Sequence, residues 1–364
     1  MRRRRWYVVL AVVAVLLGPA AAIIVRCALA KKAPAEAVVD PREVAIAKAR
    51  IAGYGRSGAA TFLTFPEWLI VYDAEEYAAF VKRRRPSGFP YFRSVPRYWL
   101  NYWHVCDAAC GRFPFDGGDH LMLAVIGVSA SVENVIKGVY ENTIGRLSEL
   151  LGTNDTEEDR LAAEVAADYA RFIHRVPWYD YPFGRAFRRL WTEPRPWGAH
   201  PVRKWERRFA LSLEYGIKAG YGAVIRFGTK SVYGNEDEWI HARARHIPPH
   251  AFDDARVKRV ATFADASHIV EIKRYEPFTA VVESLVADGA RFEDIAGNRR
   301  ILITALGTSP PPMFDTNEAA LLFVSRELAD NRHRVAIDAR VEALGAVFAR
   351  LRQTGLTVEH VYDY

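Results

Sequence analysis

SHIVEIKRYEPFTAVVESLVADG, residues 267–289, couples an alternating strand pattern to a helix with both ends marked. Residues 267–275 alternate apolar and polar side chains as a half-buried strand does. Glu276-Pro277 then opens a helix and Gly289 closes it, following the preference for Pro at a helix start and Gly just past its end. Downstream, residues 300–306 and 321–328 read as strands and 334–339 as a hairpin partner. Residues 341–353 read as a helix ended by Gly355, and 356–362 as a last strand. The order β-α-β-β-(β)-α-β predicts a ferredoxin-like α+β sandwich over residues 260–364. No internal repeat of 20–50 residues is evident.

Upstream, residues 41–250 read as a mainly helical domain. Trp68 to Tyr72 is a brief strand-like apolar run. After it, Asp73 with Glu76 predicts an N-cap and its return partner, opening a short helix that Pro86 ends. A helix is expected over residues 97–109. Another is expected over 121–151, with Val132, Val135, Val139, Thr143, Leu147 and Leu150 on one stripe. Thr156 and Asp159 form a second capping pair, before a helix whose Leu161, Val165, Tyr169, Phe172 and Val176 share a face. The last long helix, over 202–230, brings Trp205, Phe209, Leu213, Ile217, Tyr221 and Val224 into register. Three amphipathic helices with short loops predict a bundle in which these stripes bury one another.

The N-terminus has a different pattern. Arg2, Arg3, Arg4 and Arg5 stand before an apolar run over residues 6–25. At about 1.5 Å per residue, such a helix reaches roughly 30 Å, the thickness of a bilayer's hydrocarbon core. The reading is a basic cytoplasmic tail at 1–5, a transmembrane anchor at 6–30 and a linker at 31–40. A cleaved signal peptide is the alternative, with Ala20-Ala21-Ala22 as its cleavage site. Four arginines ahead of the span against Arg26, Lys31 and Lys32 behind it place the N-terminus inside and the remaining chain outside the cytoplasmic membrane.

The chain has 364 residues, 50% hydrophobic and 12% aromatic, so disorder does not describe most of it. Its net charge is +7, part of it in the N-terminal arginines. That balance suits anionic lipid or an envelope polymer as partner and does not require nucleic acid. Three cysteines are too few for a disulfide scaffold.

Phe65-Pro66-Glu67-Trp68 with Ile70-Val71-Tyr72, and the closing Glu359-His360-Val361-Tyr362-Asp363-Tyr364, resemble a group of uncharacterised bacterial membrane-anchored proteins. The resemblance spans most of the chain after the anchor and implies no activity.

Several groupings of residues could carry function. Arg185, Arg188, Arg189, Arg203, Lys204, Arg207 and Arg208 interleave with Trp191 and Trp205. Guanidinium groups suit lipid phosphate and tryptophans suit the bilayer interface, so these residues are the expected membrane or anion surface; a solvated helix face with core tryptophans is the alternative. His104, Cys106, Cys110 and His120 are the densest grouping of metal-capable side chains, but their spacing matches no strong zinc signature. Cys106 and Cys110 are the expected pair for any disulfide, or two structural thiols. Glu238-x-x-His241 is half of a di-metal carboxylate motif without a second half. No nucleophile elbow, phosphate loop or dinucleotide motif occurs in the required context, so no cofactor is expected. The expected function is binding or assembly at a membrane surface. The alternative is an enzyme acting on an envelope lipid or glycan, with its site near Glu67, His104 and His120.

Overall fold

The computed structural model describes residues 17–30, 54–152, 156–229 and 238–364. The expected basic tail at 1–5 and linker at 31–40 lie outside the described residues, as does the first part of the expected anchor. The rest of that expected segment is a short apolar helix, α1 (Leu17–Leu29). Eight further helices follow: α2 (Ala60–Val81), α3 (Tyr91–Ala109), α4 (Gly117–Leu150), α5 (Glu157–Ile173), α6 (Phe183–Thr192), α7 (Pro201–Thr229), α8 (Glu276–Ala287) and α9 (Leu344–Gln353). The protein is α+β, mostly helical, with two small antiparallel sheets among the described residues.

The chain divides into two units. The first takes the described residues of Met1–Glu67, Arg97–Val128 and Asn235–Tyr364; the second takes those of Trp68–Pro96 and Ser129–Gly234. The boundaries fall inside α2, α3 and α4, so the expected division at residues 250–260 does not hold. Trp68 to Tyr72 is not a strand and Asp73 is not an N-cap, because α2 runs through both, and through Pro66. The Thr156 cap is as expected: its hydroxyl accepts the Asp159 N–H at 3.1 Å and donates to the Asp159 carboxylate at 2.6 Å.

In the first unit the strands are β1 (Trp239–Arg245), β2 (Val257–Thr262), β3 (His268–Lys273), β4 (Arg291–Ile295), β5 (Arg300–Gly307), β6 (Ala319–Arg326), β7 (His333–Arg340) and β8 (Thr357–Val361). They form two sheets, ordered β2-β3-β1-β4 and β6-β7-β5-β8. The ferredoxin-like expectation is therefore corrected: each half is β-β-β-α-β, with α8 before β4 and α9 before β8. The two halves also share their irregularities. The β1–β4 register shifts between Arg243 and Ala244, and β5–β8 shifts between Thr304 and Ala305. The β2–β3 register shifts between Arg259 and Ala261, and β6–β7 between Leu321 and Phe323. Bulges at equivalent places in equivalent pairs make this a tandem structural repeat. One apolar core joins both halves, from Ile240, Val270 and Phe278 to Ile303, Ile337, Phe348 and Val361.

Thr61 of α2 hydrogen-bonds backbone groups of the second sheet, beside the packing of Phe65 on Phe323 and Tyr362. Thr61 is buried, donates to the Tyr362 carbonyl at 2.8 Å and accepts the Leu302 N–H at 3.0 Å. It serves backbone groups just beyond the last β5–β8 pair, Ile303 with Val361, and an unserved buried N–H is costly. Thr61→Val keeps the shape and removes both bonds. We expect it to lower stability by about 1–3 kcal/mol, measured by urea unfolding.

Candidate functional site

The second unit has charge on its inward face and apolar side chains on its outward face. Glu133 and Lys137 of α4 meet Glu214 and Lys218 of α7 in a closed quartet. Lys137 Nζ lies 2.9 Å from Glu133 and 2.7 Å from Glu214; Lys218 Nζ lies 2.9 Å from Glu133 and 3.3 Å from Glu214. Toward the start of α7, Arg203 is fully buried and binds Asp159 at 2.7 Å and Glu206 at 3.1 Å. Arg207 spans Glu141 at 2.9 Å and Glu206 at 2.5 Å. Arg208 binds Glu158 at 2.8 Å, and Lys204 binds Glu157 at 3.0 Å and Glu158 at 3.1 Å.

A π-helical turn at Glu141–Gly145 adjusts α4 at this point. Gly145 leaves room for the pairing, since a Cβ there would lie 2.4 Å from the Glu141 carboxylate. Burial of these ions is sustained only by mutual pairing, because each alone would lose its hydration uncompensated.

This arrangement overturns part of the expected anion surface. Arg203, Lys204, Arg207 and Arg208 are buried and neutralised by carboxylates, so they cannot serve a phosphate at the surface. Arg189 is partly exposed but committed to Glu164 and Glu193. Arg185 and Arg188 are exposed without an ion pair among the described residues. Trp191 and Trp205 are also exposed and, with Trp197, form a surface cluster whose ring centroids lie 6.3 and 5.7 Å apart.

The apolar stripes point the other way from the expectation. Trp205, Phe209, Leu213, Ile217, Tyr221 and Val224 of α7 all face outward, Ile217 at 66% and Val224 at 69% exposure. On α4, Val135, Val139, Thr143, Leu147 and Leu150 are exposed too, and Val132 is half-buried. Only the α5 stripe turns inward as expected, with Leu161 and Val165 buried against Tyr181, Phe183 and Leu190. Spacing gave the composition of each stripe; the direction was set by the charges on the opposite faces. Among the described residues, α4 is long and apolar enough to cross a membrane.

The first unit gathers the sulfur chemistry. Cys106 and Cys110 lie on the last turn of α3 and just beyond it, and Gly111, with φ of 84°, turns the chain away. Asp116 accepts the Gly118 N–H at 2.7 Å and caps the start of α4, placing His120 in its first turn. Cys27 arrives from the end of α1, where Arg26 pairs with Asp107 and lies 4.1 Å over the Trp103 ring. The disulfide joins Cys27 to Cys110 and leaves Cys106 a buried thiol, which corrects the expected Cys106–Cys110 pairing. A regular helical turn strains an i, i+4 bridge. Burial, and then the Asp107 carboxylate, push the Cys106 thiol up to about 12.

The three residues offered for an enzymatic site have different partners. His104 is exposed and stacks on Phe323 at 5.1 Å; His120 is buried, bonded to Tyr102 at 2.6 Å and stacked on Phe115. Glu67 lies on α2, where burial and then the Asp119 carboxylate raise it to about 7, against an opposing pull from Arg274. Searches against protein-family profiles, curated proteins and solved structures find no match.

Two outcomes follow from the charges. Arg207→Met should lower the stability of the second unit by about 3–5 kcal/mol, with part recovered when Glu141→Gln is added, as read in a thermal-unfolding double-mutant cycle. Glu67 binds its proton more tightly folded than unfolded, so its contribution is present at acid pH and lost as pH rises from about 4.3 through 7. Glu67→Gln should therefore raise stability by about 1–2 kcal/mol at pH 8 and leave it unchanged near pH 4, measured by calorimetry.

Proposed function

We propose that this is a membrane-attached bacterial envelope protein whose second unit works by binding at the bilayer surface. The observation that carries the reading is the outward turn of the α4 and α7 apolar stripes. Water gains nothing from side chains such as Phe209, Ile217 and Leu147, and contiguous apolar surface of this kind marks a membrane or partner contact. The aromatic and cationic groups suit a bilayer. Trp191, Trp197 and Trp205 are the residue type that settles at the headgroup level, and Arg185 and Arg188, exposed without an ion pair among the described residues, suit lipid phosphate.

Lying in the interface suits α4 better than crossing the bilayer. Its 34 residues reach about 50 Å, well beyond a hydrocarbon core of roughly 30 Å, and its middle bears Glu133 and Lys137. An interfacial helix buries its apolar face about 5–10 Å deep and keeps its polar face away from the acyl chains. Here that polar face is already satisfied inside the unit. The apolar run at residues 6–25, preceded by four arginines, supplies the attachment, with the N-terminus inside and the remaining chain outside the cytoplasmic membrane.

An Ile217→Cys variant tests this on the full chain in native membranes. The new thiol should resist a membrane-impermeant maleimide added to both faces of the membrane, and react fully once detergent is added. Equal labelling with and without detergent would mean that α7 faces water.

A further inference from the structure

Cys27, Cys106, Cys110 and His120 come from three helices and the chain between two of them, yet their donor atoms all lie within 4.8 Å of one another. Cys27, Cys106 and His120 are buried, and Cys110 is partly so. We propose that, with its thiols reduced, this cluster is a Cys₃His site for one zinc-class divalent ion. The structure carries the oxidised alternative, in which Cys27 and Cys110 are joined.

Donor type and distance both fit. Zinc takes thiolate sulfur and imidazole nitrogen in a tetrahedron, and Zn–S bonds of about 2.3 Å hold sulfurs roughly 3.8 Å apart. Four donors already inside 4.8 Å need only small side-chain movements to reach that figure. A disulfide alone accounts for two of the four groups. It does not account for a third buried thiol beside it, or for a buried imidazole turned into the same space. The ring of His120 is fixed as metal-bound rings are: the Tyr102 hydroxyl lies 2.6 Å from Nδ1, and Phe115 stacks on the ring at 4.9 Å. His104, the histidine closer to the cysteines in sequence, is exposed on Phe323 and takes no part.

The chemistry balances in two steps. A dithiol reductant gives two electrons to the Cys27–Cys110 bond, which breaks into two thiols while the reductant leaves as its own disulfide. The ion then displaces the protons of Cys27, Cys106 and Cys110, forming three metal–sulfur bonds and one metal–nitrogen bond with no change of oxidation state. The loaded site has a net single negative charge. Arg26, the residue before Cys27 and paired with Asp107, stands beside it as a counter-charge. Because Cys27 ends α1, the loaded site would fasten the apolar N-terminal helix to α3 and α4 within the first unit.

The full chain, purified in detergent without oxygen and reduced with a phosphine, is titrated with Co²⁺ and then Zn²⁺. The expected result is one Co²⁺ per chain with the visible bands of tetrahedral cobalt–thiolate, bleached on adding Zn²⁺. Cys106→Ser, which leaves both disulfide partners intact, should abolish the bands; Tyr102→Phe should weaken affinity about 10-fold; His104→Ala should change nothing. Absence of stoichiometric Co²⁺ binding by the reduced wild type, or bands unchanged in Cys106→Ser, overturns the proposal. If Cys106→Ser does not fold, X-ray absorption of the zinc-loaded wild type decides. Three sulfurs at about 2.3 Å with one nitrogen at about 2.0 Å support the site, and a shell of oxygen and nitrogen alone refutes it.

Discussion

A charge buried without a partner is among the least tolerable features of a protein interior, and the second unit is organised around avoiding it. Once Glu133, Lys137, Glu214 and Lys218 close their quartet, the faces of α4 and α7 that meet are fixed. Arg203, Arg207 and Arg208 extend the same constraint to Asp159, Glu141 and Glu158, which brings α5 and the π-turn of α4 into place. Removing one partner from such a pair leaves the other buried and unpaired, so the arrangement is far more sensitive to single changes than a surface ion pair. The apolar stripes are then left on the outside as a consequence. Their exposure is tolerable where the surroundings are themselves apolar, and this links the internal electrostatics to the proposed place at a bilayer.

This explains what could be read from the sequence and what could not. Hydrophobic periodicity identified the α7 stripe residue by residue, from Trp205 to Val224, and the Thr156–Asp159 cap was legible as a local exchange of hydrogen bonds. Periodicity assigns residues to a face without saying what that face meets. The decision rested on ion pairs between residues far apart in the chain, such as Glu141 with Arg207 and Asp159 with Arg203, which no spacing rule reveals. The sulfur cluster was half legible for the same reason. Cys106, Cys110 and His120 are close in sequence, whereas Cys27 is 83 residues from its disulfide partner.

The C-terminal region shows a second kind of gap. Strands β5 to β8 were visible because long apolar runs such as Ile301 to Leu306 stand out. Strands β1, β2 and β4 carry Arg243, Arg245, Lys258, Arg259, Glu293 and Asp294, which break up the apolar pattern of a strand, and β1 falls within the expected helical domain. Their charges are held by partners: Arg243 binds Asp265 at 3.0 Å and Glu293 at 2.9 Å, and Asp294 accepts the Tyr54 hydroxyl at 2.8 Å. With those strands in place the tandem β-β-β-α-β architecture becomes evident. It is a likeness of topology and bulge position that survives without an obvious likeness of side chains.

Spin-label scanning of α7, residue by residue from Arg208 to Arg226 in the full chain reconstituted into lipid vesicles, addresses the inverted arrangement most directly. Collisions with dissolved oxygen report an apolar surrounding, and collisions with a water-soluble nickel chelate report an aqueous one. The account predicts a helical periodicity in which oxygen access peaks and nickel access falls together at Phe209, Leu213, Ile217, Tyr221 and Val224. Nickel access that peaks at those same positions would place the stripe in water and contradict it.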